Sequence, residues 1–195
     1  EQRREALLGL HSVTWLNILQ SSCAYYYALL GLPEKIPAVF REHQLASIHF
    51  LAPGKPMMEL IENQVYLAQG EYVKVIGRSE ALLGMCEAMH YALVALHIRL
   101  QTAAAYEMLG KRETADELLI SALAAAEPDA LYLPFVENYR YLKTALTRGV
   151  GAKFAAFVRT VTPLGEDFVR RCGEKRAEGS RPAALAGLTE RESAI

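Results

Sequence analysis

The sequence has no excess of basic residues and none of the common catalytic motifs. Of its 195 residues, 21 are lysine or arginine and 22 are aspartate or glutamate, so the formal net charge is −1. Domains that bind nucleic acid through its phosphates normally carry a basic excess, so we do not expect these residues to bind DNA themselves. No His-Glu-x-x-His, Gly-x-Ser-x-Gly or Gly-x-x-x-x-Gly-Lys-Ser/Thr motif occurs. We therefore predict no enzyme activity, no metal and no other cofactor.

Cysteine and long apolar runs are also scarce. The three cysteines are odd in number and widely spaced, which is typical of free thiols in a reducing cytosol. No run approaches 18 consecutive apolar residues, so no membrane span is predicted. The charged start at residues 1–5 is not a secretory signal. Because a helical pattern is already running at the first residue, which is not methionine, we expect a cytoplasmic fragment of a longer protein.

The apolar residues that are present follow a helical period nearly everywhere. Leu93, Leu96, Leu100 and Ala104 recur at steps of three or four, as one face of a helix does. The strand-like window 72–76 is kept helical because its neighbours favour helix. With glycine and proline as breaks, the pattern predicts an all-α fold with helices over residues 1–9, 14–30, 34–51, 57–69, 71–87, 90–109, 112–127, 131–148 and 151–172.

A Tyr-x-x-x-Gly motif occurs three times at nearly constant spacing. The copies are 39 and 40 residues apart, which is the length of one helix–turn–helix unit, and they begin at Tyr27, Tyr66 and Tyr106. Tyrosine supplies a large packing group near the end of a helix, and glycine ends the helix in the left-handed conformation. A single hairpin cannot bury its apolar face, whereas stacked hairpins can. The motif therefore predicts a stack of antiparallel helical hairpins.

These segments resemble known helical repeats. Tyr66-Leu-Ala-Gln-Gly70-Glu-Tyr72, and Tyr106 to Gly110 followed by Ala115, look like the middle of tetratricopeptide repeats. The spacing near 40 and the segment 126–138 resemble the repeat domain of MalT-like bacterial regulators. The usual tryptophan and Leu-Gly of the first helix are missing, so the repeat phase stays open. The resemblance implies an α–α superhelix over residues 1–172.

The end of the sequence resembles the junction to a DNA-binding domain. Residues 173–187 mix glycine, proline, serine and charge, as linkers do. In residues 188–195, Thr189 and Glu192 form a capping box that begins a helix. The Leu-Thr-x-Arg-Glu sequence there resembles the opening of the LuxR-type helix-turn-helix domain; a generic helix start is the alternative. The resemblance implies that DNA is bound only by a domain beyond Ile195.

The register of the repeats also predicts a binding groove. In tetratricopeptide repeats the first helices line the groove, and alignment on the three motif tyrosines places five polar side chains there: Ser21, Tyr25, Gln64, His97 and Glu107. Polar groups on an otherwise apolar wall suit a ligand site. The alternatives are solvated surface for each residue, hairpin packing for Tyr25, and a partly buried core position for His97.

Cys86 and Cys172 are candidates for a metal-binding and a reactive thiol. Cys86 and His90 are four residues apart and could share a helix face, but two ligands do not make a zinc site. Cys172 lies beside Arg170 and Arg171, which could lower the pKa of its thiol. A bystander cysteine is the preferred interpretation.

The resemblance leads to one main hypothesis and one alternative. The chain is interpreted as the regulatory part of a LuxR-type regulator, which binds a small-molecule effector or a protein partner and controls an attached DNA-binding domain. The alternative is a peptide-binding scaffold, which a groove rich in lysine, arginine and asparagine would favour. Homo-oligomerisation stays open.

Overall fold

The computed structural model describes residues 12–47, 52–148 and 153–179. About 86% of these residues are helical and none of them lies in a strand, so the all-α prediction is confirmed. The window 72–76 is helical, as predicted. None of the described helices is both long and apolar enough to cross a bilayer. The predicted helix over residues 1–9 lies outside the described residues.

The helices follow one another through short connections. In chain order they are α1 (Ser12–Leu30), α2 (Ala38–Arg41), α3 (Lys55–Gln69), α4 (Tyr72–Ala88), α5 (Ala92–Met108), α6 (Arg112–Ala126), α7 (Leu133–Glu137), α8 (Tyr139–Thr147) and α9 (Ala155–Gly179). Short 3₁₀ turns lie at Pro33–Lys35, Leu45–Ser47, Ala52–Gly54 and Glu127–Asp129.

Each Tyr-x-x-x-Gly motif forms the same helix end. Gly70 has a φ of 78°, and Gly31 and Gly110 are also left-handed. At each corner the residue after the glycine donates its backbone N–H to the carbonyl of the motif tyrosine, at 2.9 to 3.0 Å. The glycine N–H donates to the residue after that tyrosine. These paired bonds define a Schellman motif. The glycine therefore recurs in the sequence because each of the three helices ends in this way.

The helix α5 is the centre of the packing. It contacts α3, α4, α6 and α8, and its side chains Leu96, Leu100 and Ala104 are buried. One apolar cluster joins α5 to α6, α8 and α9, and a second joins α1, α3 and α4. The helix α9 contacts α1 as well as α7 and α8. In an open solenoid each unit contacts only its neighbours, so this contact brings the two ends of the stack together.

Three predicted boundaries were wrong. The predicted helix 34–51 is broken, because Pro37 has no N–H to donate and disfavours helix at the residue before it. The predicted helix 131–148 is divided at Asn138, whose side-chain Nδ2 donates to the carbonyl of Pro134 at 2.9 Å. The helix α9 continues to Gly179, so residues 173–179 are helix and not linker. Residues 180–195, which include the predicted start of a DNA-binding domain, lie outside the described residues.

Candidate functional site

A cavity of about 590 Å³ lies between α1, α3, α5 and α7. Its volume is within the range of small-molecule sites. The helices α1, α3 and α5 are the first helices of the three Tyr-x-x-x-Gly units. The wall is mainly aliphatic, methionine and aromatic: Ile18, Tyr25, Tyr26, Leu29, Met57, Met58, Leu60, Ile61, Leu93, Val94 and Leu133, with the polar residues Ser21, Ser22, His97 and Glu137.

The polar groups of the cavity converge on Glu137. The Tyr25 hydroxyl donates a hydrogen bond to Glu137 Oε2 at 2.7 Å. His97 Nδ1 lies 3.8 Å from the same oxygen. Ser21 donates to the carbonyl of Ile18 at 2.8 Å, so its hydroxyl is held by its own helix. A phenol, an imidazole and a carboxylate from three different helices therefore meet at one point of an apolar wall.

Burial shifts the ionisation of these groups toward their neutral forms. The pKa of His97 is lowered to about 4, because burial disfavours the imidazolium ion. The pKa of Glu137 is raised by burial, and the hydrogen bond from Tyr25 opposes that rise. The pKa of Tyr25 is raised by burial and by the neighbouring carboxylate. Perturbed ionisable groups in a concave apolar site are typical of functional positions.

Three of the predicted groove residues, Ser21, Tyr25 and His97, line this cavity together. Gln64 does not line it: its side chain is fully buried between α3 and α5, where its Oε1 accepts a hydrogen bond from Gln101 Nε2 at 2.9 Å. Gln101 Nε2 also donates to the carbonyl of Leu60 at 3.1 Å. The contact with Gln101 of α5 buries Gln64, so it is not exposed to the cavity.

Glu107 also lies away from the cavity. Its carboxylate oxygens accept hydrogen bonds from Arg148 at 2.5 and 2.6 Å, and Arg148 donates to Asp116 at 2.6 Å. These charge-assisted bonds tie the end of α5 to α6 and to the end of α8. Glu107 is therefore part of a structural ion-pair cluster. The repeat register predicted a groove position for it, because the register gives no sign of the distant partner Arg148.

Glu137 is the acidic residue of the cavity, and the alignment of the repeats did not predict it. It lies in α7, which the alignment of three repeats did not reach. A signal was present, because Glu137 follows His97 by 40 residues, the same interval that separates the last two motif tyrosines. Extending the register by one more repeat would have placed Glu137 on the groove side.

The other candidates do not form sites. Cys86 is buried in α4, whereas the exposed His90 has a φ of 56° in the turn after that helix. Within the described ranges, no group of three metal-ligating side chains comes together. Burial raises the pKa of the Cys172 thiol, so the neighbouring arginines do not activate it. A second cavity, of about 820 Å³, lies beside Cys86 and His90 and is lined mainly by α4 and α5.

The shifted pKa of His97 predicts a pH-dependent stability. An imidazole whose pKa falls from about 6.5 to about 4 on folding contributes stability that is present above pH 6.5 and is lost as the pH falls toward 4. Between pH 7 and pH 5 the wild-type protein should lose about 2 kcal/mol of unfolding free energy relative to His97→Gln. Urea unfolding of both proteins at the two pH values measures this difference.

The comparison with His97→Gln separates the contribution of His97 to the pH dependence of stability from that of Glu137. Glu137, with a raised pKa, contributes stability that falls with rising pH, which is the opposite sign. That contribution is present in both proteins and largely cancels in the difference. Equal pH dependence in the two proteins would show that His97 is not buried as described.

Known proteins do not supply a family for this chain. No family model, no curated protein and no solved structure matches it. The cavity and the residues that line it are therefore the main guide to function.

Proposed function

We propose that this chain is the effector-binding regulatory domain of a LuxR-type, MalT-like transcription regulator, built from tetratricopeptide-like hairpins. In this proposal a ligand in the cavity controls a DNA-binding domain that follows residue 195. The observation that carries the proposal is the position of the cavity. It lies against the first helices of all three repeat units, α1, α3 and α5, and it holds the convergent polar groups of Tyr25, His97 and Glu137.

The cavity also offers a physical route for a signal. Tyr25 and Glu137 are 112 residues apart in sequence, so a ligand between them would link α1 to α7. The helix α7 packs against α9, and α9 leads toward the C-terminal end of the chain. A ligand shifts the equilibrium between two conformations of the domain only if it binds them with different affinity. A ligand that contacts both Tyr25 and Glu137 has that property, because it binds better when α1 and α7 lie together than when they separate.

A peptide-binding scaffold is the second candidate. Five apolar side chains at the cavity are exposed and could accept an apolar peptide: Ile18, Tyr26, Met57, Leu93 and Leu133. The lining of this cavity, as described, includes no lysine, arginine or asparagine. A groove that binds a peptide through its backbone and carboxylate would use such residues, so the cavity favours a small molecule.

A thermal-shift screen against sugars, amino acids, amines, nucleotides and short apolar peptides tests the proposal. A ligand at 100 times its dissociation constant should stabilise the fold by about 2.7 kcal/mol. For a chain of this size, that corresponds to a rise of about 5–10 °C in Tm. A saturable small-molecule hit supports a sensor, and a response to peptides alone supports the scaffold.

A matched pair of variants locates the binding site. Ser22 lines the cavity and is exposed, so Ser22→Trp should fill the cavity without disturbing the core. Ser121 is exposed on α6 and does not line the cavity, so Ser121→Trp is the control. The stabilisation should disappear in Ser22→Trp and persist in Ser121→Trp. No hit from any class, or a hit that Ser22→Trp leaves unchanged, would contradict the proposed function of this cavity.

A further inference from the structure

Among the described residues that line the cavity between α1, α3, α5 and α7, one side chain is acidic and none is lysine or arginine. The acidic side chain is Glu137. In the described part of the chain, His97 is the one basic side chain within 4 Å of the Glu137 carboxylate, with Nδ1 at 3.8 Å from Oε2. Burial keeps His97 neutral near pH 7, so it does not offset a carboxylate charge. The cavity therefore holds an acid that has no permanent cation beside it.

Two groups at this point of the cavity present acceptor atoms, and His97 adds a third acceptor in one of its neutral tautomers. The carboxylate is an acceptor, and the Tyr25 hydroxyl uses its hydrogen on Glu137 and keeps its lone pairs. His97 Nδ1 is buried and has no hydrogen-bond partner among the residues that the structure describes. A neutral imidazole has one acceptor nitrogen, and Nδ1 takes that role when Nε2 carries the proton. An unsatisfied buried polar atom is costly unless a ligand or water satisfies it.

We propose that the cavity binds a small organic cation, with a primary ammonium group at Glu137 and an apolar body along the walls of α1 and α3. This inference rests on the proposed function and deepens it by naming the ligand class. An ammonium group has three N–H donors, which match the Glu137 carboxylate, the Tyr25 hydroxyl oxygen and His97 Nδ1. The pairing of ammonium with carboxylate also supplies the cation that the cavity lacks.

The rest of the cavity fits the apolar part of such a ligand. Met57 and Met58 are flexible and polarisable, so they adapt to ligands of different shape. The rings of Tyr25 and Tyr26 lie in the wall and can contact a cation through their faces. An anionic ligand would meet Glu137 without any cation to hold it, and a sugar would leave most of its hydroxyl groups against apolar wall. These two classes are therefore disfavoured.

Three probes of nearly the same shape test the ligand class: 2-phenylethylamine, 2-phenylethanol and 3-phenylpropanoate. They share an aromatic body and differ in the charge of the end group. By isothermal titration calorimetry at pH 7, the amine should bind at least about 10-fold more tightly than the alcohol, because its ammonium group bonds to a carboxylate. The carboxylate probe should bind more weakly than the alcohol.

Glu137→Gln shows whether the preference comes from the proposed contact. The amide oxygen of glutamine can still accept from Tyr25, so the fold should persist, which circular dichroism checks. In this variant the amine should lose its advantage over the alcohol, while the alcohol keeps its affinity. Glu117→Gln, an exposed position on α6 outside the cavity, removes the same charge and should leave the amine preference unchanged.

The outcomes separate this inference from the proposed function. Equal binding of amine and alcohol, tighter binding of the carboxylate probe, or an amine preference that survives in Glu137→Gln would each overturn the cation proposal. If none of the three probes binds, the cation proposal is also overturned. In each case a saturable hit of another class that Ser22→Trp abolishes would leave the cavity as an effector site.

Discussion

Replacing Leu119 with alanine should lower the free energy of unfolding by about 3 kcal/mol. Leu119 is fully buried on α6, in the cluster that joins α5, α6, α8 and α9. The substitution removes apolar contacts and leaves a cavity that the surrounding helices fill only in part. Urea unfolding monitored by circular dichroism measures the change, and in a thermal melt it corresponds to a fall in Tm of about 6–12 °C.

The neighbouring residue provides the control for that substitution. Ile120 follows Leu119 on the same helix, has nearly the same volume, and is 45% exposed. Ile120→Ala should therefore change the stability by less than about 1 kcal/mol. Similar losses of stability at the two positions would mean that α6 does not pack against α5 through the face that carries Leu119.

Replacing Gly165 with alanine should destabilise the protein by about 2 kcal/mol. Alanine is normally better than glycine inside a helix, by about 1 kcal/mol. At Gly165, however, an added Cβ would overlap the buried ring of Tyr139, where α9 lies against α8. The overlap involves the base of the ring and not the end of a flexible side chain, so the helices must shift apart.

Gly173 lies in the same helix and gives the opposite expectation. A Cβ added there would meet nothing within 4 Å, so Gly173→Ala should stabilise the protein by about 0.5–1 kcal/mol. Opposite signs for the two substitutions in thermal melts would confirm the contact between α8 and α9. A stabilising Gly165→Ala would show that the Tyr139 ring does not lie against α9.

The hairpin corners could be predicted because their cause is local. Glycine at the end of α1, α3 and α5 takes a conformation that other residues adopt at a cost, so the sequence marks the corner. The corners at His43, His90 and Ala130 have similar left-handed φ angles, and their backbone hydrogen bonds match those of the glycine corners. No glycine marks them. The corners at His90 and Ala130 lie at predicted helix boundaries, whereas His43 lies inside the predicted helix 34–51. The left-handed conformation of these three residues was not predicted.

Of the two unpredicted helix breaks, one has a local cause in the sequence and the other depends on a side-chain hydrogen bond. Pro37 marks a helix break in the sequence itself, because proline has no N–H to donate. Asn138 could not be read in the same way, because asparagine occurs in helices, in turns and at caps. Its role depends on the hydrogen bond that its side chain makes to Pro134.

The repeat register predicted only some of the residues that line the cavity. Tyr25 and His97 meet because both lie on first helices at positions that face the same side of the stack. Gln64 has the same register, but Gln101 from the neighbouring helix closes its side. Glu107 pairs with Arg148, 41 residues away, and no repeat pattern indicates that pairing. Contacts between distant segments therefore limited the prediction of the site.

The proposed regulatory function requires that a ligand in this cavity controls DNA binding. The most direct measurement is the DNA affinity of a protein extended past Ile195 along its natural sequence, with and without a ligand found by the screen, at several salt concentrations. Regulation through the cavity predicts DNA binding that weakens with salt and that changes by about 5-fold or more with saturating ligand. It also predicts that Ser22→Trp removes the ligand effect but not the DNA binding. An extended protein that does not bind DNA, or whose DNA affinity ignores the ligand, would contradict the regulatory function.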